Sequence, residues 1–299
     1  MRIQKIVFTL IVFLCTQSIC TNLLKEQLSQ TGYLEICHKN CDIITYDSLY
    51  ASFDELITFL QSHPAWAQKL YIAKERFIRS ADRNYYATDF FGFYDESKRE
   101  GRNQISFYYS THFQDFIFSH FPEFKQVSPL IKFFEMCFEI EQSCENIFNE
   151  AAAELNIKNI FVSPYSCSPT LKLRRTGLPV LLKVIKYFPS YNPARPHYDG
   201  SAFSLFLDST DNQSLLLSPY KSEFTVDDFS SPLRKFVRSH NQNSMLLIPG
   251  ALLTEFAIYP TPHIVKQNGK IRYATIAFAM RPYHTSQKNN FLPLPRFKY

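Results

Sequence analysis

Three observations on the 299-residue sequence predict an α+β fold. The first half carries apolar residues at helical spacing. Beyond residue 157 the pattern changes to short β-branched runs divided by Pro, Gly, Asn and Ser clusters. A composition of 45% hydrophobic against 20% charged residues supplies enough apolar side chain for a large core. A β-barrel or sandwich with helices packed outside fits the same pattern. The composition excludes general disorder, and 7 glycines without a repeat period exclude a collagen-like or low-complexity chain. The net charge of +5 is small and spread along the chain, which argues against a nucleic-acid partner. The 29 Phe and 18 Tyr read as bulky core, not as a base-stacking platform.

The chain divides into four parts. Residues 1–20 open with the basic Arg2 and Lys5, continue through the apolar stretch Ile6 to Cys15 and end in small residues at Ser18 and Cys20. That order matches a secretory signal peptide, with Thr21 as the mature start and export to a periplasm, a secretory lumen or the exterior. The alternative is an uncleaved anchor, for which the run is short, since a span needs roughly 20 apolar residues. No later run approaches that length, so no membrane contact is expected once the signal is removed.

Residues 21–157 form a mostly helical region. Ser52-Phe53-Asp54-Glu55 reads as a capping box, followed by Phe53, Leu56, Ile57 and Leu60 on one face. Pro64 opens a second helix running to about Ile78, and residues 80–110 lack clear periodicity. Ser128-Pro129 supplies a cap and a first-turn proline for a long helix. Its apolar face includes Leu130, Phe133, Phe134, Cys137, Cys144, Phe148, Ala151 and Leu155, and it runs to about Asn156. Seven residues of helix rise about 10.5 Å, too far for Cys137 and Cys144 to bridge, so both are expected as buried thiols. Cys37 and Cys41 either bridge in a secreted chain or form part of a metal clip, for which no fourth ligand is apparent.

Residues 158–282 are the strand-rich part, with runs at Val180 to Phe188, Ala202 to Leu207, Leu215 to Ser218, Ser244 to Ile248 and Ile271 to Met280. Residues 283–299 form a basic, proline-containing tail, expected as an extended arm on the core.

Two of the eight histidines stand out. His197 begins the run His197-Tyr198-Asp199, and period two on a strand puts the imidazole and the carboxylate on one face. His263 follows 66 residues later, after Ile248-Pro249-Gly250, and Arg272 comes nine residues after that, opening a β run. Two His and one carboxylate on one side of a metal leave several positions open, which is the ligand set of non-haem Fe(II) oxygenases. The remaining histidines, such as His63, His112 and His120, read as surface or internally satisfied groups.

With Tyr187-Phe188-Pro189 at the end of the strand before His197, the stretch from about Val180 to Pro282 resembles the 2-oxoglutarate- and Fe(II)-dependent oxygenases. The branch is the one that includes isopenicillin N synthase and the plant flavonoid and hormone dioxygenases. The resemblance implies a double-stranded β-helix, or jelly-roll, core with the long helix packed against it. It implies Fe(II) held by His197, Asp199 and His263, and 2-oxoglutarate held by Arg272 and Tyr187, with Ser204 facing the same pocket. It further implies that O2 is consumed to oxidise a small organic substrate by hydroxylation, desaturation or cyclisation, giving succinate and CO2. One departure stands out: the family usually has Arg-x-Ser, and here the third residue is Ala274. That leaves open an Fe(II) oxidase that needs no oxoacid. A non-catalytic secreted binding module on the same scaffold is the reading from another class.

Overall fold

The computed structural model describes residues 24–37, 46–80, 86, 88–98, 103–161, 178–189, 196–210, 214–218, 223–224, 244–266, 269–281 and 296–297. The proposed signal segment, Cys41 and most of the C-terminal tail lie outside these residues. Among the described residues, five α-helices precede the strand-rich half: α1 (24–31), α2 (Tyr46–Ser62), α3 (Pro64–Ile78), α4 (Thr111–His120) and α5 (Ser128–Glu154). The strands are β1 (Leu34–Cys37), β2 (Gly92–Asp95), β3 (Gln104–Tyr109), β4 (Val180–Tyr187), β5 (Phe203–Ser209), β6 (Leu215–Leu217), β7 (Glu223–Phe224), β8 (Ser244–Pro249), β9 (His263–Val265), β10 (Arg272–Ala279) and β11 (Arg296–Phe297).

Seven strands form one antiparallel sheet in the order β1-β8-β5-β10-β4-β3-β2. β6 and β9 form a small second sheet, extended by a bridge between His197 and His263. The large sheet is therefore covered on both faces, and its strands read as near-continuous apolar runs for that reason. Phe203, Leu205, Met245, Leu247 and Ala277 point to the helices. The alternating residues Leu246 and Ile248 meet Leu215 and Leu217 of the small sheet, and Ile185, Tyr187, Ala274 and Ile276 form a third apolar cluster on that side.

The helical face is sealed by aromatics and by a polar seam. α5 is 27 residues long, about 40 Å, and lays Phe133 against Phe53 of α2 and Phe107 of β3, and Phe148 against Phe203 of β5. α2 is keyed to the sheet by Asp54, which takes a 2.8 Å ion pair from Lys186 and a hydrogen bond from the Tyr273 hydroxyl. One turn earlier Tyr50 donates to Asp208 at 2.8 Å and accepts from Thr275. The buried Glu141 of α5 accepts hydrogen bonds from the Thr111 amide and hydroxyl, so one helix supplies the negative charge at the N-terminus of another.

Several local expectations are corrected. α2 begins at Tyr46, six residues before the expected capping box, and Ser52 is a buried mid-helix residue whose hydroxyl donates to the Leu49 carbonyl. A backbone carbonyl three residues earlier satisfies that hydroxyl, so the local cap signal misleads. At α5 the cap position belongs to Val127 and Ser128 is already helical, with no side-chain cap bond. Residues 80–110, aperiodic in sequence, contain β2 and β3; β3 takes its place from pairing with β4, and β2 from pairing with β3. Cys137 and Cys144 are buried and not joined in a disulfide, as expected.

Candidate metal centre and oxoacid pocket

The histidine and aspartate side chains meet where the small sheet lies over β5. His197 and His263 are tied through their backbones by reciprocal hydrogen bonds of 3.0 and 2.8 Å. Their rings lie 4.3 Å apart. Asp199 reaches between them: its carboxylate oxygens lie 3.8 Å from His197 Nε2 and 3.7 Å from His263 Nε2. One ligand atom from each of the three lies within 4.8 Å of the others, and among the described residues this is the group able to hold a metal. The burial is graded: the His197 side chain is 49% exposed, Asp199 14% and His263 3%. The site thus opens to solvent on the His197 side.

Neighbouring groups set the orientation and charge of each ligand. Thr261 presents its carbonyl 3.2 Å from His263 Nδ1, which fixes the proton there and turns Nε2 towards Asp199. Phe206 packs edge-on to the same ring at 5.6 Å. Ser204 donates to Asp199 at 2.6 Å and is itself joined to Ser201 at 3.0 Å. Burial lowers the His263 pKa to about 4 despite the neighbouring Asp199 charge. Burial would raise Asp199, but His263, His197, Ser204 and Lys183 together hold it below the usual carboxylate range. At neutral pH the ligand set is therefore a neutral imidazole beside an ionised carboxylate, the state a metal requires.

The loop Pro249-Gly250-Ala251 clamps the motif. Amides of Gly250, Ala251 and Leu252 donate to the carbonyls of Ala202, Asp199 and Ser201 at 2.8, 2.8 and 3.1 Å. A Cβ at Gly250 would sit 2.2 Å from the Ser201 carbonyl oxygen, so only glycine permits this approach.

Arg272 and Tyr187 lie directly opposite each other on β10 and β4. The guanidinium carbon stands 3.9 Å from the Tyr187 ring centroid, and Arg272 is 3% exposed. Its Nε and Nη2 donors are buried without a hydrogen-bond acceptor among the described residues. Ala274, two residues on, shares this face with Ile185, Ile276 and Tyr187, while Thr275 turns to the helices. Tyr198 packs with Leu216 and Ile264, away from the ligand atoms. The structure therefore gathers His197, Asp199, His263 and Ser204 into one cluster and sets Tyr187 and Arg272 farther along the same sheet face. His63 and His120 bond carbonyls of their own helices or the preceding turn, and His112 bonds the Tyr86 hydroxyl, so these three are internally satisfied. Sequence reasoning passed over Lys183, whose signal was a charge within an apolar strand run at the same parity as Tyr187.

No protein-family model and no curated protein matches the chain. Solved structures do. The chain is similar to the Arabidopsis thaliana dioxygenase for auxin oxidation 1, solved with 2-oxoglutarate, at 15% identity, 91% coverage of both chains and a TM-score of 0.53. It also matches the dioxygenase for auxin oxidation of rice at 11% identity, covering 89% of this chain and 79% of that one, with a TM-score of 0.46. A Pseudomonas putida prolyl-4-hydroxylase matches at 10% identity, 87% and 98% coverage and a TM-score of 0.39. The Arabidopsis comparison carries the point: the chain has the fold seen in 2-oxoglutarate oxygenases.

Proposed function

We propose that the protein is a non-haem Fe(II)- and 2-oxoglutarate-dependent oxygenase of the isopenicillin N synthase-like branch, acting on a small organic substrate. The observation that carries this reading is a His-Asp-His triad on the same sheet face as the buried Arg272, whose ring-stacked guanidinium lies opposite Tyr187. The two sheets are then the walls of a jelly roll, with the triad near its open end. The residues fit both groups. His197, Asp199 and His263 offer two nitrogens and one carboxylate, a donor set suited to Fe(II) that leaves coordination positions open. Arg272 suits the distal carboxylate of the oxoacid, because its planar fork pairs bidentately with one. When bound, iron and 2-oxoglutarate supply the oxidation of a substrate C–H bond by O2, with succinate and CO2 released.

The chain's own contribution is orientation and exclusion of water. Ser204 fixes the Asp199 carboxylate, Thr261 fixes the His263 tautomer, and Tyr187 holds the guanidinium plane. Ile185, Ala274 and Ile276 line the face between Arg272 and the triad with apolar groups, which strengthens the arginine–carboxylate pair by lowering the local dielectric. Hydroxylation, desaturation and cyclisation all fit this arrangement. We further propose that residues 1–20 direct export, on their basic start, short apolar run and small-residue end.

The test is anaerobic Fe(II) binding by the mature chain with and without 2-oxoglutarate, followed by visible absorption and metal analysis. A charge-transfer band that requires both components is expected. His197→Ala should lose the iron and the band. Arg272→Ala should keep the iron and require at least tenfold (roughly) more 2-oxoglutarate, the loss expected for a charged pair. Iron binding without any band favours the oxidase, which the missing hydroxyl at Ala274 would suit. No iron binding sinks the enzyme reading and leaves a binding module.

A further inference from the structure

β4 carries two lysines three residues apart, so the alternation of a strand sends them to opposite faces of the sheet. Lys186 points to the helices and is neutralised by Asp54 at 2.8 Å. Lys183 points to the other face, where the metal triad and Arg272 lie. Its ammonium sits 5.0 Å from the Tyr108 ring centroid and hydrogen-bonds that hydroxyl. Among the described residues it makes no ion pair with a carboxylate. Its charge nevertheless acts on both Asp199 and His263, so it stands near the ligands without being one.

Charge balance singles this lysine out. Two positive charges on Fe(II) and one on Arg272 would cancel Asp199 and the two carboxylates of 2-oxoglutarate. Lys183 then remains as the half-buried cation over, with no carboxylate paired to it among the described residues of that face. It cannot share the oxoacid's distal carboxylate with Arg272. Lys183 is opposite Ile276 on β10, four residues from Arg272, which is about 13 Å along a strand. The surroundings are aromatic and aliphatic: Tyr108, Tyr94 edge-on to it at 5.5 Å, and Ile276.

We propose that Lys183 receives a carboxylate of the oxidised substrate, making the site selective for a monoanionic organic acid with an apolar or aromatic body. This rests on the oxygenase reading above. The competing role for Lys183 is a contact with 2-oxoglutarate itself, and the test separates the two.

Phenylacetate and its neutral counterpart phenylacetamide serve as probes, titrated calorimetrically into the anaerobic Fe(II)/2-oxoglutarate protein. The acid should bind at least tenfold (roughly) more tightly than the amide, the preference a single charge-assisted hydrogen bond supplies. Lys183→Met should abolish that preference and leave the 2-oxoglutarate dependence of the visible band unchanged, while Lys183→Arg should restore most of it. Equal binding of acid and amide, or no binding of the acid, overturns the proposal. So does a Lys183→Met variant that weakens 2-oxoglutarate as Arg272→Ala does, which would make Lys183 a cosubstrate residue. If the wild-type protein forms no band, the oxygenase reading fails by itself. The acid–amide comparison on the metal-free protein then still decides whether Lys183 is an anion site.

Discussion

Ala274 shows how much one methyl group decides at the residue scale. It sits two residues after Arg272, on the same face and beside Ile185 and Tyr187, where a serine hydroxyl would reach a carboxylate paired with the arginine. Its β-carbon offers no donor, and Thr275 cannot substitute because its hydroxyl is turned to Tyr50 on the opposite face. Ala274→Ser is therefore expected to tighten 2-oxoglutarate binding by about tenfold, read from the cosubstrate dependence of the visible band. No tightening would mean that the oxoacid does not lie against this strand. The clustering of His197, Asp199 and His263 was legible in the sequence, because His-x-Asp and the spacing to the second His and the Arg are simple patterns. Lys183 was not, because what makes it notable is that no carboxylate among the described residues pairs with it, and neighbours are a property of the folded chain.

At the scale of elements, the site depends on a loop that carries none of its ligands. Three successive amides from Gly250 to Leu252 hold the Asp199–Ala202 backbone, and the approach is too close for any side chain at Gly250. Gly250→Ala should push this loop from the His197–Asp199 segment. The expected outcome is a loss of at least tenfold (roughly) in metal affinity together with a stability loss of about 1–3 kcal/mol, measured by metal titration and denaturant unfolding. Unchanged metal affinity would show that the clamp does not position Asp199. The helix starts were less legible than the helices. The apolar period of α2 and α5 was plain, but Ser52 looked like a cap and is a core residue, since capping depends on where the chain enters the helix and packing against the sheet decides that.

For the whole molecule, His263 links the site to stability. Its pKa of about 4 lies below the ordinary histidine value of 6.5, because burial penalises the imidazolium. The unfolded chain takes up a proton near pH 6.5 that the fold refuses until about pH 4, so stability falls as pH drops through that window. Asp199, held below its usual range, adds a further loss at the acid end, once the unfolded carboxylate begins to protonate. The melting temperature of the metal-free protein should therefore decline from about pH 7 to about pH 4, and His263→Gln should flatten the upper part of that slope. A wild-type profile without any decline would contradict the burial of a neutral imidazole. The sequence by itself determined the α+β class, the long helix, the strand runs and the three ligand candidates, because periodicity and short-range spacing are written in the order of residues. Tertiary structure decided which strands pair, that β1, β2 and β3 from the first half join the large sheet, and which of two lysines on β4 is neutralised. Those outcomes depend on long-range burial and on charge pairing between residues more than a hundred positions apart, such as Asp54 and Lys186, and no local pattern encodes them.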